Sequence, residues 1–249
     1  MRKSHKLSWE KYFIEAWGLG VFMISACAVT LLLEHPQSVL HSAIPSPFLR
    51  RVVMGLCMGI TAWKILDSKW GKKSGAHINP AVTLTMYRLG KINGKDTLAY
   101  IVFQFAGGTA GVLLVALLTG NLIQEEHVMY AVTVPGKEGI LAAMAGEIII
   151  AFCMMSMVMI TMHNQKWTAH TSRLAGLLVM GNVIFESPYS GFGMNPARTL
   201  ASALPSGVWT SYWMYALVPV VTMLATAEIF SQYFKYAIKL RALNRVKHL

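Results

Sequence analysis

Apolar residues fall along this chain in six long runs, at about 12–33, 48–66, 97–119, 139–162, 173–188 and 209–234. A helix that crosses a bilayer needs about 20 mostly apolar residues. Each run meets or approaches that length, the second and fifth with the most interruptions. The segments between them are polar or broken. Glu34–Leu49 holds Pro36, Pro45 and Pro47 and predicts a loop. Lys69–Lys95 is too interrupted to span. Gly120–Glu138 carries Glu125 and Glu126, and His163–Arg173 is a short polar link. Met1–Lys11 and Lys235–Leu249 are basic tails.

Two of the interrupted segments share a motif. One reads Ser74-Gly75-Ala76-His77-Ile78-Asn79-Pro80-Ala81-Val82-Thr83, the other Gly191-Phe192-Gly193-Met194-Asn195-Pro196-Ala197-Arg198-Thr199. Asn-Pro-Ala starts a helix well. Asn serves as N-cap, and Pro at the first helical position loses no hydrogen bond. Each copy follows small residues that can run extended and precedes about two turns of helix-compatible sequence. The pattern predicts an all-α membrane protein of six transmembrane helices plus two re-entrant half-helices. The half-helices enter from opposite sides and meet near the middle.

Composition supports a membrane protein over a soluble core. The 249 residues are 55% hydrophobic and 13% charged, half the charged fraction of about 25% usual for soluble domains. Mean hydropathy is +0.48. The net charge of +11 does not point to nucleic acid, because the basic residues sit in short blocks between apolar runs. No cleavable signal is expected, since the first apolar run is long and lacks a small-residue cleavage pattern. Cys27, Cys57 and Cys153 all lie in apolar stretches. That odd count argues against a disulfide framework and a metal site.

Lysine and arginine placement sets the orientation. With both termini in the cytoplasm, 18 of the 22 basic residues lie on that side, and the others are Arg50, Arg51, Lys137 and Arg198. The first Asn-Pro-Ala then approaches from the cytoplasm and the second from outside. The chain divides into a first repeat (1–120), an outer connection (121–138), a second repeat of inverted orientation (139–234) and a basic tail (235–249). Each repeat holds one glutamate in its first span, Glu15 and Glu147. Inverted repeats with broken helices meeting at the midplane build transport sites.

Irregular backbone at membrane depth is tolerated only inside protein or along a water-filled cavity. Carbonyls of Gly75, Ala76, His77, Gly191, Gly193 and Met194 are candidates to line that cavity. The Asn79 and Asn195 amides are candidate donors to a solute oxygen. Both half-helix N-termini turn their positive ends to the centre, which disfavours cations and hydronium and leaves neutral hydrogen-bonding solutes free to pass. Arg198, charged and next to the second motif, is a functional candidate by its position.

One Asn-Pro-Ala is a weak signal; two in opposite halves of a six-span chain are specific. On both motifs, on Glu15 and Glu147, and on Gln104-Phe-Ala-Gly-Gly-Thr-Ala-Gly111, the chain resembles the aquaporin (major intrinsic protein) family over nearly its whole length. The resemblance implies a homotetramer of right-handed monomers, each with its own pore, in the plasma membrane. It implies that Glu15 and Glu147 accept hydrogen bonds from the loop backbones; His77, next to the apex, is read from its position as a loop brace rather than a ligand or gate. The resemblance also implies a constriction at Arg198, Phe192, Val183 and Gly59, or Met58 in place of Gly59 if one residue is inserted. No cofactor and no enzymatic activity are implied.

The constriction gives mixed signals on the solute. Water-selective relatives usually carry a bulky aromatic in helix two and a histidine in helix five; Gly59 and Val183 offer neither. Phe192 resembles the glycerol-conducting type. Thr199, where that type has aspartate, resembles the water type, and Tyr215-Ala216 fits neither. The leading expectation is a passive pore for glycerol-like polyols or metalloid hydroxides together with water. A mainly water-selective pore is the alternative. An ion- or proton-coupled transporter is the rival of another class; it would need a titratable midplane pair beyond Glu15 and Glu147. No Ser/His, His-Glu-x-x-His or paired-carboxylate motif at membrane depth suggests an enzyme. Gly107, Gly108 and Gly111 fit close helix packing.

Overall fold

A computed structural model of the chain describes the backbone of residues 8–247 and the side chains of residues 8–236. Arg2, Lys3 and Lys6, and the side chains of Lys239, Arg241, Arg245 and Lys247, lie outside that range.

The six apolar runs are helices: α1 (Trp9–Glu34), α3 (Pro47–Asp67), α6 (Gly94–Thr119), α7 (Gly139–His163), α9 (Thr171–Phe185) and α12 (Tyr212–Lys247). By length and composition α1, α6, α7 and α12 qualify as membrane spans. Helices α3 and α9 are less apolar or shorter, and matching that, they pack along each other. The polar segments add short helices: α2 (Val39–Ala43), α4 (Lys69–Ser74), α8 (Gln165–Thr168) and α10 (Ser187–Ser190). The basic tail from Lys235 continues α12 to Lys247.

The half-helices are α5 (Pro80–Arg88) and α11 (Pro196–Ser206). Each starts as the motif predicts. Asn79 Oδ1 accepts the Ala81 N–H at 2.8 Å, and Asn195 Oδ1 accepts those of Ala197 and Arg198 at 3.0 and 3.2 Å. Both half-helices pack on α6 and α12.

Spans α1 and α6 approach at two glycines. A Cβ on Gly107 would lie 2.1 Å from the Ala16 carbonyl oxygen, and one on Gly111 would lie 2.5 Å from that of Gly20. This brings α6 onto α1 within the monomer. Arg50 is 7% exposed, and its Nε donates to both oxygens of Glu34 at 3.1–3.2 Å. Its Nη1 donates to the carbonyls of Ile44 and Pro45. Arg50 therefore staples the connection between α1 and α3 to the end of α1. Cys27, Cys57 and Cys153 are free thiols.

Candidate pore and its two loops

Both pore loops depart from ordinary backbone. Gly75, Ala76 and Ile78 have φ of 94°, 43° and 39°, and Gly191, Phe192 and Met194 have 75°, 59° and 49°. For residues with a Cβ the left-handed region costs about 1–2 kcal/mol each. It also turns successive peptide groups in opposite directions. N–H groups thereby face the protein, where one buried carboxylate collects them.

Glu15, on α1 and fully buried, accepts from the N–H of His77 at 3.1 Å and of Ile78 at 2.6 Å. It also accepts from Ser74 Oγ at 2.7 Å and Gln104 Nε2 at 2.8 Å. Glu147, on α7 and fully buried, accepts from the N–H of Gly193 and Met194 at 2.7 and 2.6 Å, and from Ser190 Oγ at 2.7 Å. Ser74 and Ser190 each accept an N–H two residues on, from Ala76 and Phe192. Tyr100 and Tyr215 each donate to the serine carbonyl, at 2.7 Å. Apart from the Gln104 bond, which Glu147 lacks, the two constellations match group for group. Without them the loops would hold stranded N–H groups at membrane depth. His77 adds its ring to the first, with Nδ1 3.3 Å from Thr83 Oγ1 and an edge contact to Tyr100.

The asparagines do more than cap. Asn79 Nδ2 donates to the Met194 carbonyl at 2.9 Å, and Asn195 Nδ2 to the Ile78 carbonyl at 2.8 Å. Each amide latches the opposite loop, so one of its two N–H groups is committed and only the other remains for a solute. Pro80, Ala81, Pro196 and Ala197 are buried beneath this junction.

Two cavities meet here. The inner one, about 290 Å³, is lined by residues 75–79 and 192–195 and by apolar side chains such as Leu66, Val158 and Val179. The outer one, about 280 Å³, is bounded by Met54, Met58, Val183 and, at its mouth, Glu126 and His127. Phe22, Phe192 and Arg198 border both, and so mark the junction. Arg198 is 7% exposed, and its Nε and Nη1 have no protein acceptor.

One expected residue lies elsewhere. Gly59 is buried at the α3–α9 crossing, where a Cβ would lie 2.7 Å from the Gly176 carbonyl oxygen and 2.7 Å from Met180 Cβ. Gly59 does not line either cavity; Met58 borders the outer one instead. Close helix packing, not an open constriction, explains the glycine. Sequence reasoning also missed Phe22. It is one apolar residue in an apolar run, and nothing local marks which face of α1 meets a cavity.

The Major intrinsic protein family profile matches residues 2–230. The chain therefore belongs to the major intrinsic protein family, whose aquaporins are membrane channels and not enzymes. It is 30% identical to "Probable aquaporin TIP4-1" of Oryza sativa subsp. japonica over 81% of this chain and 77% of the relative. It is 34% identical to "Probable aquaporin NIP-type" of Nicotiana alata, over 89% and 77%. Among solved structures, the aquaglyceroporin from Plasmodium falciparum superposes with a TM-score of 0.78 at 19% identity, covering 93% of this chain and 99% of that one. That likeness shows the fold. Fold and family together make this protein a passive channel for water and small solutes.

Proposed function

We propose that the channel conducts small uncharged solutes of the glycerol or metalloid-hydroxide type together with water, and excludes ions and protons. The observation that carries this is the junction of the two cavities. Arg198 borders both cavities there beside the apolar Phe22 and Phe192, and its buried Nε and Nη1 have no protein acceptor. A solute with hydroxyls on one side and carbon on the other suits such a wall. A cation meets an unpaired guanidinium and two half-helix N-termini. The selectivity set is Arg198, Phe192, Val183 and Met58.

Met58 also supports a second reading. A thioether side chain, where the sequence expectation had glycine, fills part of the outer cavity and favours a mainly water-conducting pore. Reconstituted protein distinguishes the two. Under an inward glycerol gradient, stopped-flow light scattering shows fast re-swelling if polyols pass. Rapid water shrinkage with no re-swelling sinks the polyol reading.

The same proposal takes residues 1–120 and 139–234 as inverted repeats joined by 121–138, with 235–249 at the cytoplasmic end. It places both termini in the cytoplasm of a plasma-membrane homotetramer surrounded by lipid. The exposed bases Lys64, Lys72, Lys73, Arg88 and Arg173 support that orientation, because they gather at one end of the helices.

A further inference from the structure

Glu186 follows α9 and begins the turn into the second pore loop. Both of its carboxyl oxygens are buried and neither has a hydrogen-bond donor. Its Oε1 lies flat against α7 at Gly146, where a Cβ would be only 2.4 Å away. Any other residue at 146 would displace the carboxyl. The glycine and the glutamate form one fitted contact, next in sequence to Glu147.

Ser190 lies one turn past Glu186, its N–H 3.4 Å from the Glu186 main-chain carbonyl oxygen, which brings its hydroxyl beside the Glu186 carboxyl. Its single hydrogen is already given to Glu147 Oε1, and one of its lone pairs takes the Phe192 N–H. It cannot donate to Glu186, but it can accept once more. Asn182, one helical turn back, has a buried and unpartnered Nδ2, so the adjacent amide is not bonded to Glu186 either. The ionisable groups facing Glu186 are Glu147 on α7 and Tyr215 on α12, with Arg198 acting on Glu147. An anion here would be buried without donors and next to a second carboxylate. Both terms oppose it. The first loop has no such group: the position four before Ser74 is Trp70, packed on Trp17.

We propose that Glu186 is a positioning residue of the second pore loop, carried as the neutral acid, with its proton directed at Ser190 Oγ. The chain then runs from Glu186 O–H to Ser190 Oγ and from Ser190 O–H to Glu147, which also accepts the N–H groups of Gly193 and Met194. It steadies Phe192 and Arg198 at the cavity junction. Loss of the Glu186 proton places a second negative charge behind the brace, loosens the loop and lowers conductance. The second loop therefore has a pH limit that the first lacks.

The test is water permeability of proteoliposomes from mildly acidic to alkaline pH, for wild type, E186Q, E186L and E125Q. Wild type and E125Q lose about twofold or more in one single-proton step. E186Q, whose amide still donates to Ser190, stays flat at the acidic value. E186L, with no donor, stays low throughout. Infrared difference spectra of wild type minus E186Q contain a protonated-carboxyl stretch at neutral pH, a readout independent of transport. The proposal is overturned if E186Q keeps the wild-type step, if E186L conducts like wild type, or if the carboxyl band is absent. If E186L does not fold, E186Q and the infrared band still decide.

Discussion

The side-chain amide of Asn79 donates to the main-chain carbonyl of Met194 at 2.9 Å, across 115 positions of sequence. The reciprocal bond runs from Asn195 to Ile78 at 2.8 Å. These two bonds hold the tips of the half-helices together. Asn79→Ala removes an N-cap, worth about 1 kcal/mol, and strands a buried carbonyl, at about 1–3 kcal/mol. The expected loss is about 2–4 kcal/mol of stability, with reduced water permeability. Denaturation in detergent and stopped-flow scattering measure the two. Wild-type values in both would refute the latch.

Gly59 and Met58 are adjacent, but they should respond oppositely. Gly59→Ala forces a Cβ against the Gly176 carbonyl and costs about 1–3 kcal/mol by overpacking. Met58→Ala enlarges the outer cavity and raises glycerol uptake, whereas Met58→Trp lowers it. If Gly59→Trp folds normally and blocks uptake, the rotation of α3 described here is wrong.

Arg198 sets the barrier to cations. A monovalent ion about 6 Å from the guanidinium meets roughly 3 kcal/mol at an effective dielectric constant of about 20, a factor of about 100 in rate. Arg198→Ala should therefore admit measurable cation current in planar bilayers while neutral solutes still pass. An electrically silent variant would move the barrier to the half-helix N-termini alone.

Beside the cavity that Met58 borders lies an exposed ion pair, His127 Nδ1 to Glu125 Oε1 at 3.0 Å. The bond to Glu125 raises the His127 pKa above the ordinary imidazole value. The same bond lowers the Glu125 pKa below the usual carboxylate value. The His127 contribution is fully present below the unfolded histidine value and is lost as pH rises through the raised folded one. The Glu125 contribution is present above the unfolded glutamate value and is lost as pH falls through the lowered one. The pair is therefore tightest in mildly acidic solution. An NMR titration of the His127 ring should show its midpoint falling on Glu125→Gln; an unchanged midpoint excludes the pairing.

Much of this architecture is written locally. Hydropathy over about 20 residues marks a span, and the four-residue neighbourhood of Asn79 or Asn195 marks a helix start. Both are properties of contiguous sequence, and the helix bounds follow them closely. Glu15 and Glu147 are legible for a related reason. Their place inside apolar runs marks them as buried charges, and the family resemblance supplied their role as acceptors for the loop N–H groups. The short helices α2, α4, α8 and α10 are not legible, because each is about one turn long and is held by its neighbours.

By itself, the sequence determined the six spans, the two half-helix starts, the paired glutamates and the cationic Arg198. The tertiary structure alone decided which side of each helix meets the cavities. A membrane helix that is apolar all round carries no periodic signal for its rotation. That rotation is fixed where backbones touch, at Gly59 on Gly176 and at Gly111 on Gly20. Those contacts turn Met58 inward and Gly59 away from the pore. Phe22 reaches the junction, and Glu186 lies against α7, for reasons that exist only once the helices are packed.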